Sequence, residues 1–249
     1  LIGQGIKNLL GWHSIFVSMA LLGVINSIWL GLRQPESHPV EARRPMRIAS
    51  LWEATKMAFS NRVFRYSVAV LTCLYGALFT QISLIQPIFE IYYDKADSFP
   101  LWFGAIALLT MTSSFINAKL VGRFGMRKIV QTVLIAQIFL ASGVIVYQMT
   151  AESLPFWIYF IWATSVMFVV GFTFGNLNAL SMEPMGKIAG LAASISGSIC
   201  TVLAAFISIG VSLAFDGTPF ALSVGVLACV AVGFVLMRIL GPRRATDES

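Results

Sequence analysis

The chain has 249 residues, 57% of them hydrophobic and 11% charged, with a mean hydropathy of +0.82. A soluble enzyme of this composition would expose apolar surface on every side, so the balance points to a polytopic membrane protein. The formal net charge of +6 is no footprint of nucleic-acid binding: the cations sort to one membrane side, with a weak attraction to anionic lipid.

Leu1–Leu10 reads as the end of an earlier hydrophobic segment, and no signal peptide is read. The chain is expected to be the C-terminal portion of a longer protein. Seven uncharged stretches follow, at Ser14–Leu32, Tyr66–Phe89, Ser98–Ala118, Ile129–Ala151, Ser153–Met182, Ile188–Phe215 and Gly217–Met237. About 20 mostly apolar residues cross the hydrocarbon core, and in lipid the backbone must satisfy its own hydrogen bonds. Each stretch is therefore expected to be a transmembrane helix. The connections alternate between basic and nearly uncharged. Arg33, Arg43, Arg44, Arg47, Lys56, Arg62, Arg65, Lys119, Arg123, Arg127, Lys128, Lys187, Arg238, Arg243 and Arg244 fall on one side. That is fifteen of the seventeen Lys and Arg, leaving Lys7 and Lys95 on the other. The positive-inside bias puts the N-terminus outside and the C-terminus in the cytoplasm. Cys73, Cys200 and Cys229 lie in three different spans and read as small packing residues, with no disulfide or metal spacing.

The hydrophilic stretch Arg33–Arg65 carries Pro35, Pro39 and Pro45, then turns periodic. Ser50 followed by Glu53 is a capping-box pattern, and Ile48, Leu51, Trp52, Phe59 and Val63 recur at helical spacing. Two readings stay open: an amphipathic helix on the inner membrane face, or a solvated linker helix. The expected organisation is thus an all-α membrane protein in four parts. Residues 1–32 end an N-terminal bundle with its last transmembrane helix at 14–32, and 33–65 form the cytoplasmic linker. A C-terminal six-helix bundle fills 66–240, and 241–249 are a cytoplasmic tail. Six spans behind a long linker match one half of a two-bundle transporter, each half being two three-helix units of inverted topology. The units would be Tyr66–Ala151 and Ser153–Met237, although no similarity between their sequences is visible.

The connection between the third and fourth spans reads Ala118-Lys-Leu-Val-Gly-Arg-Phe-Gly-Met-Arg-Lys128. It resembles the cytoplasmic loop signature of the major facilitator superfamily, Gly-x-Leu-x-Asp-Arg-x-Gly-Arg-Arg-Lys. Leu120, Arg123, Gly125, Arg127 and Lys128 match; Ala118, Gly122 and Met126 depart from the pattern. Asp97-Ser-Phe-Pro-Leu-Trp-Phe103, Thr173-Phe-Gly-Asn-Leu-Asn-Ala179, Met182-Glu-Pro-Met-Gly-Lys-Ile-Ala-Gly190 and Ala214-Phe-Asp-Gly-Thr-Pro219 are similar to the C-terminal half of bacterial drug:proton antiporters, the bicyclomycin-resistance group above all. The resemblance implies proton-coupled efflux of drug-like or other small amphipathic molecules by alternating access, in a bacterial inner membrane. It also implies a missing N-terminal half as partner, beside substrate, protons and membrane lipid.

The second span carries a stripe of Thr72, Tyr75, Phe79, Ser83, Gln86 and Glu90, spaced by three or four, with Thr80 and Gln81 off it. Tyr75, Phe79, Ser83 and Gln86 are candidate substrate-binding residues, the alternative being interhelical hydrogen bonds. Glu90 is the acid within a hydrophobic flank and the proton-coupling candidate; the neighbouring Tyr92, Tyr93 and Asp94 favour a surface carboxylate at the membrane boundary. Asn176 and Asn178 of the fifth span are candidate cavity or gate residues, or else a buried clamp between helices. Gly125 permits a tight turn, and the cations beside it can grip helix ends and acidic side chains. Arg123, Gly125, Arg127, Lys128 and Glu183 are therefore gating candidates, with Arg123 or Arg127 pairing with Glu183 as an inner latch. Gly186, Gly190, Ala193, Gly197 and Ala204 of the sixth span form a small-residue stripe expected to pack tightly. In the third span Thr110, Ser113 and Asn117 align similarly and back the cavity or bond to neighbours. No nucleophile motif, phosphate loop or metal pair is read, so no catalytic residue, ATP-driven step or cofactor is expected. The competing classes are a non-transporting membrane assembly subunit and an integral membrane enzyme.

Overall fold

The computed structural model describes residues 11–33 and 48–241, apart from the side chains of residues 48–51 and Lys187. The earlier hydrophobic segment at 1–10, the proline-bearing part of the linker and the tail beyond Gly241 lie outside the described residues, as does the Ser50 side of the capping box.

Eight α-helices and no strand are found among the described residues. They are α1 (His13–Arg33), α2 (Ile48–Ser60), α3 (Arg62–Pro87), α4 (Phe99–Phe124), α5 (Met126–Thr150), α6 (Phe156–Met182), α7 (Ala189–Leu213) and α8 (Phe220–Leu240). All but α2 are long and apolar enough to cross a membrane, matching the seven expected spans. A π-helical turn, Ile88–Tyr92, prolongs α3, and a 3₁₀ turn, Glu183–Ile188, links α6 to α7. The chain divides into two compact units, residues 1–50 and 51–249. In the first, α1 satisfies its own polar side chains: Ser18, Asn26 and Ser27 each donate to a carbonyl three or four residues back. That is the arrangement lipid demands.

Local chemistry sets the boundaries in the second unit. Asn61 caps α3, its Oδ1 accepting from the backbone N–H of Val63 and of Phe64, so α3 begins at Arg62, one turn before the apolar span at Tyr66. Gly125, at φ +78°, is the single residue between α4 and α5. Pro155 and Pro219 precede α6 and α8. Helix α2 buries Ala54 and Ala58 against the bundle, while Trp52 and Met57 are exposed and Lys56 lies 5.6 Å from the Trp52 ring. It is therefore a helix docked on the bundle rather than a freely solvated linker.

Helix α3 packs on α6, α7 and α8, while α6 packs on α3, α4 and α5, and α5 packs on α8. Exchanging α3 with α6, α4 with α7 and α5 with α8 leaves this pattern unchanged. The two triplets are thus spatial counterparts although their sequences show no repeat. One glycine near the middle of each leading helix makes the correspondence concrete. A Cβ at Gly76 of α3 would stand 2.9 Å from Cδ1 and Cγ2 of Ile207 on α7. At Gly171 of α6 it would overlap Ser113 Oγ on α4 and stand 2.9 Å from Ser113 Cβ.

Helix α7 packs through a different face from the expected stripe, with which it shares Ala204. Its buried stripe is Ala192, Ser196, Cys200, Ala204 and Ser208. Gly190, Ala193 and Gly197 are exposed, and nothing lies within 4 Å of a Cβ added at either glycine. Gly186 belongs to the 3₁₀ turn, at φ +46°. Both faces of α7 are rich in small residues, so spacing alone could not say which one meets α3.

Candidate functional site

The half-buried face of α3 meets α6 through aromatic rings. Tyr75 stacks on Phe174 with centroids 4.5 Å apart, and Phe79 meets Tyr75 edge-on at 6.1 Å. Asn178, one turn along α6 from Phe174, is exposed and donates through Nδ2 to the Phe174 carbonyl at 3.0 Å. Further along α3, Ser83 Oγ lies 3.2 Å from Ser208 Oγ on α7, and Gln86 is exposed. Tyr75, Phe79 and Phe174 thus come together, with Ser83 and Gln86 continuing the same stripe of α3 and Asn178 one turn further along α6. Phe174 was not among the sequence candidates; its position four residues before Asn178 was the available signal.

Two stripe members behave otherwise. Thr72 is buried against α7, its Oγ1 donating to the Val68 carbonyl at 2.9 Å and to Cys200 Sγ at 3.4 Å. Glu90 stands exposed on the π-helical turn at the far end of α3. The two asparagines also part company. Asn176 is buried, and its Nδ2 donates to Asn117 Oδ1 on α4 at 2.8 Å and to the Phe172 carbonyl at 2.7 Å. That geometry is the interhelical clamp. Thr80 and Gln81, off the stripe, are fully buried, and Gln81 Nε2 reaches the Ala163 carbonyl of α6 at 3.3 Å.

The two ends of the bundle differ in charge. At the basic end, Arg62 Nη2 donates to the Ile239 carbonyl at 2.6 Å, Arg127 Nη1 to Gly241 at 3.3 Å and Gln131 Nε2 to Met237 at 3.1 Å. Arg62 and Arg127 meet the last carbonyls at the end of α8, where cations are also favoured by the helix dipole, and Gln131 adds a second donor to the Met237 carbonyl, which the Gly241 N–H already meets at 3.3 Å. Arg123 and Lys128 both flank the Phe124 ring, at 5.4 and 5.6 Å. Glu183 opens the 3₁₀ turn at this same end. The expected gating residues Arg123, Gly125, Arg127, Lys128 and Glu183 are thereby gathered at one end.

Among the described residues the opposite end of this unit holds Glu90, Asp94, Asp97, Glu152 and Asp216 with Lys95, whose Nζ lies 5.1 Å from the Phe156 ring. Tyr92 Oη accepts from the Leu154 N–H at 2.8 Å, and Tyr93 Oη donates to the Leu154 carbonyl at 3.0 Å. Burial pushes the Tyr93 phenol well above its ordinary value. Asp216 Oδ1 accepts from Thr218 Oγ1 at 2.7 Å and from its N–H at 3.0 Å, which lowers the carboxyl below the usual range. A cavity of about 260 Å³ here is lined in part by Tyr92, Gln148, Glu152 and Asp216. Among the described residues no group of three His, Cys, Asp or Glu could hold a metal.

Seven spans among the described residues, all helical, with a basic end, an acidic end and an aromatic face between them define a polytopic membrane protein. The sequence model of the Major Facilitator Superfamily matches residues 1–209, and the chain belongs to that family of membrane transporters. It is 26% identical over 250 residues to a bicyclomycin resistance protein homolog of Haemophilus influenzae, covering 98% of this chain and 61% of that protein. It is 25% identical over 207 residues to an uncharacterized MFS-type transporter, YdgK, of Bacillus subtilis, covering 79% of this chain and 49% of that one. The chain therefore spans about half to three-fifths of the length of these relatives. No solved structure matches it significantly.

Proposed function

We propose that this chain supplies the C-terminal six-helix bundle of a proton-coupled exporter of small amphipathic molecules in a bacterial inner membrane. The half-open aromatic face carries the reading. Tyr75 stacked on Phe174, with Phe79 beside them, offers flat apolar rings, and Asn178, Ser83 and Gln86 offer a few polar groups to orient a ligand. Substrate would sit between this face and the N-terminal half. The rocking of two bundles about that site would expose it alternately to each side.

The basic end would face the cytoplasm. There Arg123 or Arg127 would pair with Glu183 to hold the inner gate shut while the protein faces outward, and Gly125 with Lys128 would shape the hinge. Glu90 is the candidate proton carrier within this chain. A single assay separates these roles: full-length protein in vesicles, an imposed pH gradient and a lipophilic cationic dye. Tyr75→Ala or Phe174→Ala is expected to weaken apparent dye affinity by about 2- to 10-fold, the range of one aromatic contact. Unchanged affinity in both variants overturns the aromatic site. Flux that ignores the gradient removes proton coupling, flux unaltered by Glu90→Gln removes that residue, and full activity in Glu183→Lys removes the latch.

A further inference from the structure

Helices α4 and α5 both pack on α6, yet they pack little on each other. A groove opens between them at the basic end, with a volume of about 330 Å³. Its walls are Leu120 and Phe124 of α4 with Ile129, Thr132 and Val133 of α5, and Phe172 of α6 forms the floor. Lys128 is part of the lining and lies 5.6 Å from the Phe124 ring, and Arg123 lies 5.4 Å from the same ring. Both cations are exposed, and so is Gly122, where nothing lies within 4 Å of an added Cβ. Not one Asp or Glu occurs from Ser98 to Ala151, so no carboxylate of the hairpin competes for these two charges.

The apolar lining does not stop at the groove. Along α4, Ile116 and Leu109 follow Leu120 on the side toward the acidic end and are exposed. Along α5, Ile135 and Phe139 follow Thr132 at helical spacing, and Phe139 is 72% exposed. A trough with two cations at one end and a continuous apolar track beyond them suits an amphiphile with an anionic head, not a soluble anion. Basic pockets between transmembrane helices recognise anionic lipid headgroups on the same physical grounds.

We propose that this groove binds one anionic phospholipid, its phosphate held between Arg123 and Lys128 and an acyl chain laid along Leu120, Thr132 and Phe172. The inference needs the chain to span a bilayer, and it leaves the inner latch of the proposed function to Arg127 and Glu183. Arg127 is not required, since its guanidinium turns to the Gly241 carbonyl.

The test uses full-length protein in phosphatidylcholine nanodiscs. Trace phosphatidylglycerol or phosphatidylcholine bearing an acyl-chain diazirine is added, and cross-linked peptides are mapped by mass spectrometry. Phosphatidylglycerol should label the segment 116–139 in preference to phosphatidylcholine. Arg123→Gln and Lys128→Gln should each lower that preference about fivefold, as expected for one cation near an anionic headgroup. Arg238→Gln, at the same end but away from the groove, should leave it unchanged. Thr132→Trp, which fills the groove while keeping both charges, should remove labelling by either probe. Equal labelling by the two lipids overturns the proposal, as does a preference that survives both charge variants. So does an unlabelled groove, which would mean that another part of the protein covers it.

Discussion

The hairpins α4–α5 and α7–α8 occupy equivalent places in the two triplets, yet their chemistry is opposite. The first turns on one residue, Gly125, with Lys119, Arg123, Arg127 and Lys128 around it. The second takes six residues, Ala214–Pro219, turns at Gly217 with φ +91°, and carries Asp216 tied to Thr218. Packing geometry is repeated because each triplet must bury the same kind of apolar helix faces. Charge is not repeated, because the turns lie at opposite ends of the bundle and therefore meet opposite sides of the bilayer. The lesson is that fold symmetry constrains the spans and leaves the loops free to diverge.

The correspondence is best broken at its closest approaches. Gly76→Leu and Gly171→Leu should each destabilise the full-length protein by about 1–3 kcal/mol, as forced overpacking does. Thermal unfolding in detergent reads this directly, and a loss confined to one of the two would show that the triplets are not mechanically equivalent. The turns come next. Gly125→Ala and Gly217→Ala should each cost about 1–3 kcal/mol, because both glycines hold positive φ angles, and that of Gly125 goes with ψ 152°, a conformation that L side chains essentially never adopt. A cost at Gly125 alone would mean that the longer α7–α8 turn relaxes around the new Cβ. The smallest effect belongs to Asp216. Its folded carboxyl lies below its ordinary value, so it adds stability above the ordinary carboxylate pKa of about 3.9 and loses it as pH falls through the folded value. Since the group is solvent-exposed the contribution is small. Thr218→Val removes the hydroxyl donor and should flatten the acid limb of a stability–pH curve; an unchanged limb would show that the turn carries no such linkage.

Much of the fold was legible beforehand because hydropathy acts over whole spans. Seven stretches of uncharged residues became seven helices, and the described cations of the second unit, Lys95 apart, gather at one end of it. The candidate site was read less fully. Tyr75 and Phe79 fall on a half-open face as their spacing implied, but Thr72, on the same stripe, turns into α7, because a straight helix bordered by two neighbours buries part of any long stripe. Gln81 was set aside as off the stripe and proves to be a core polar group bonded to α6. Asn176 and Asn178 are only two residues apart, so they point to different sides, and only the position of α4 decides that Asn176 is the buried one.

By itself the sequence determined the number of crossings, their helical nature and the separation of charge between the two ends. Those properties follow from transfer of each segment between water and lipid, which needs no knowledge of neighbours. Tertiary structure alone decided which face of α7 packs, how Gly76 and Gly171 serve as counterparts, and that Phe174 completes the ring pair with Tyr75. Such matters depend on which helices touch, and contact between distant segments is set by shape complementarity rather than by the polarity of either one.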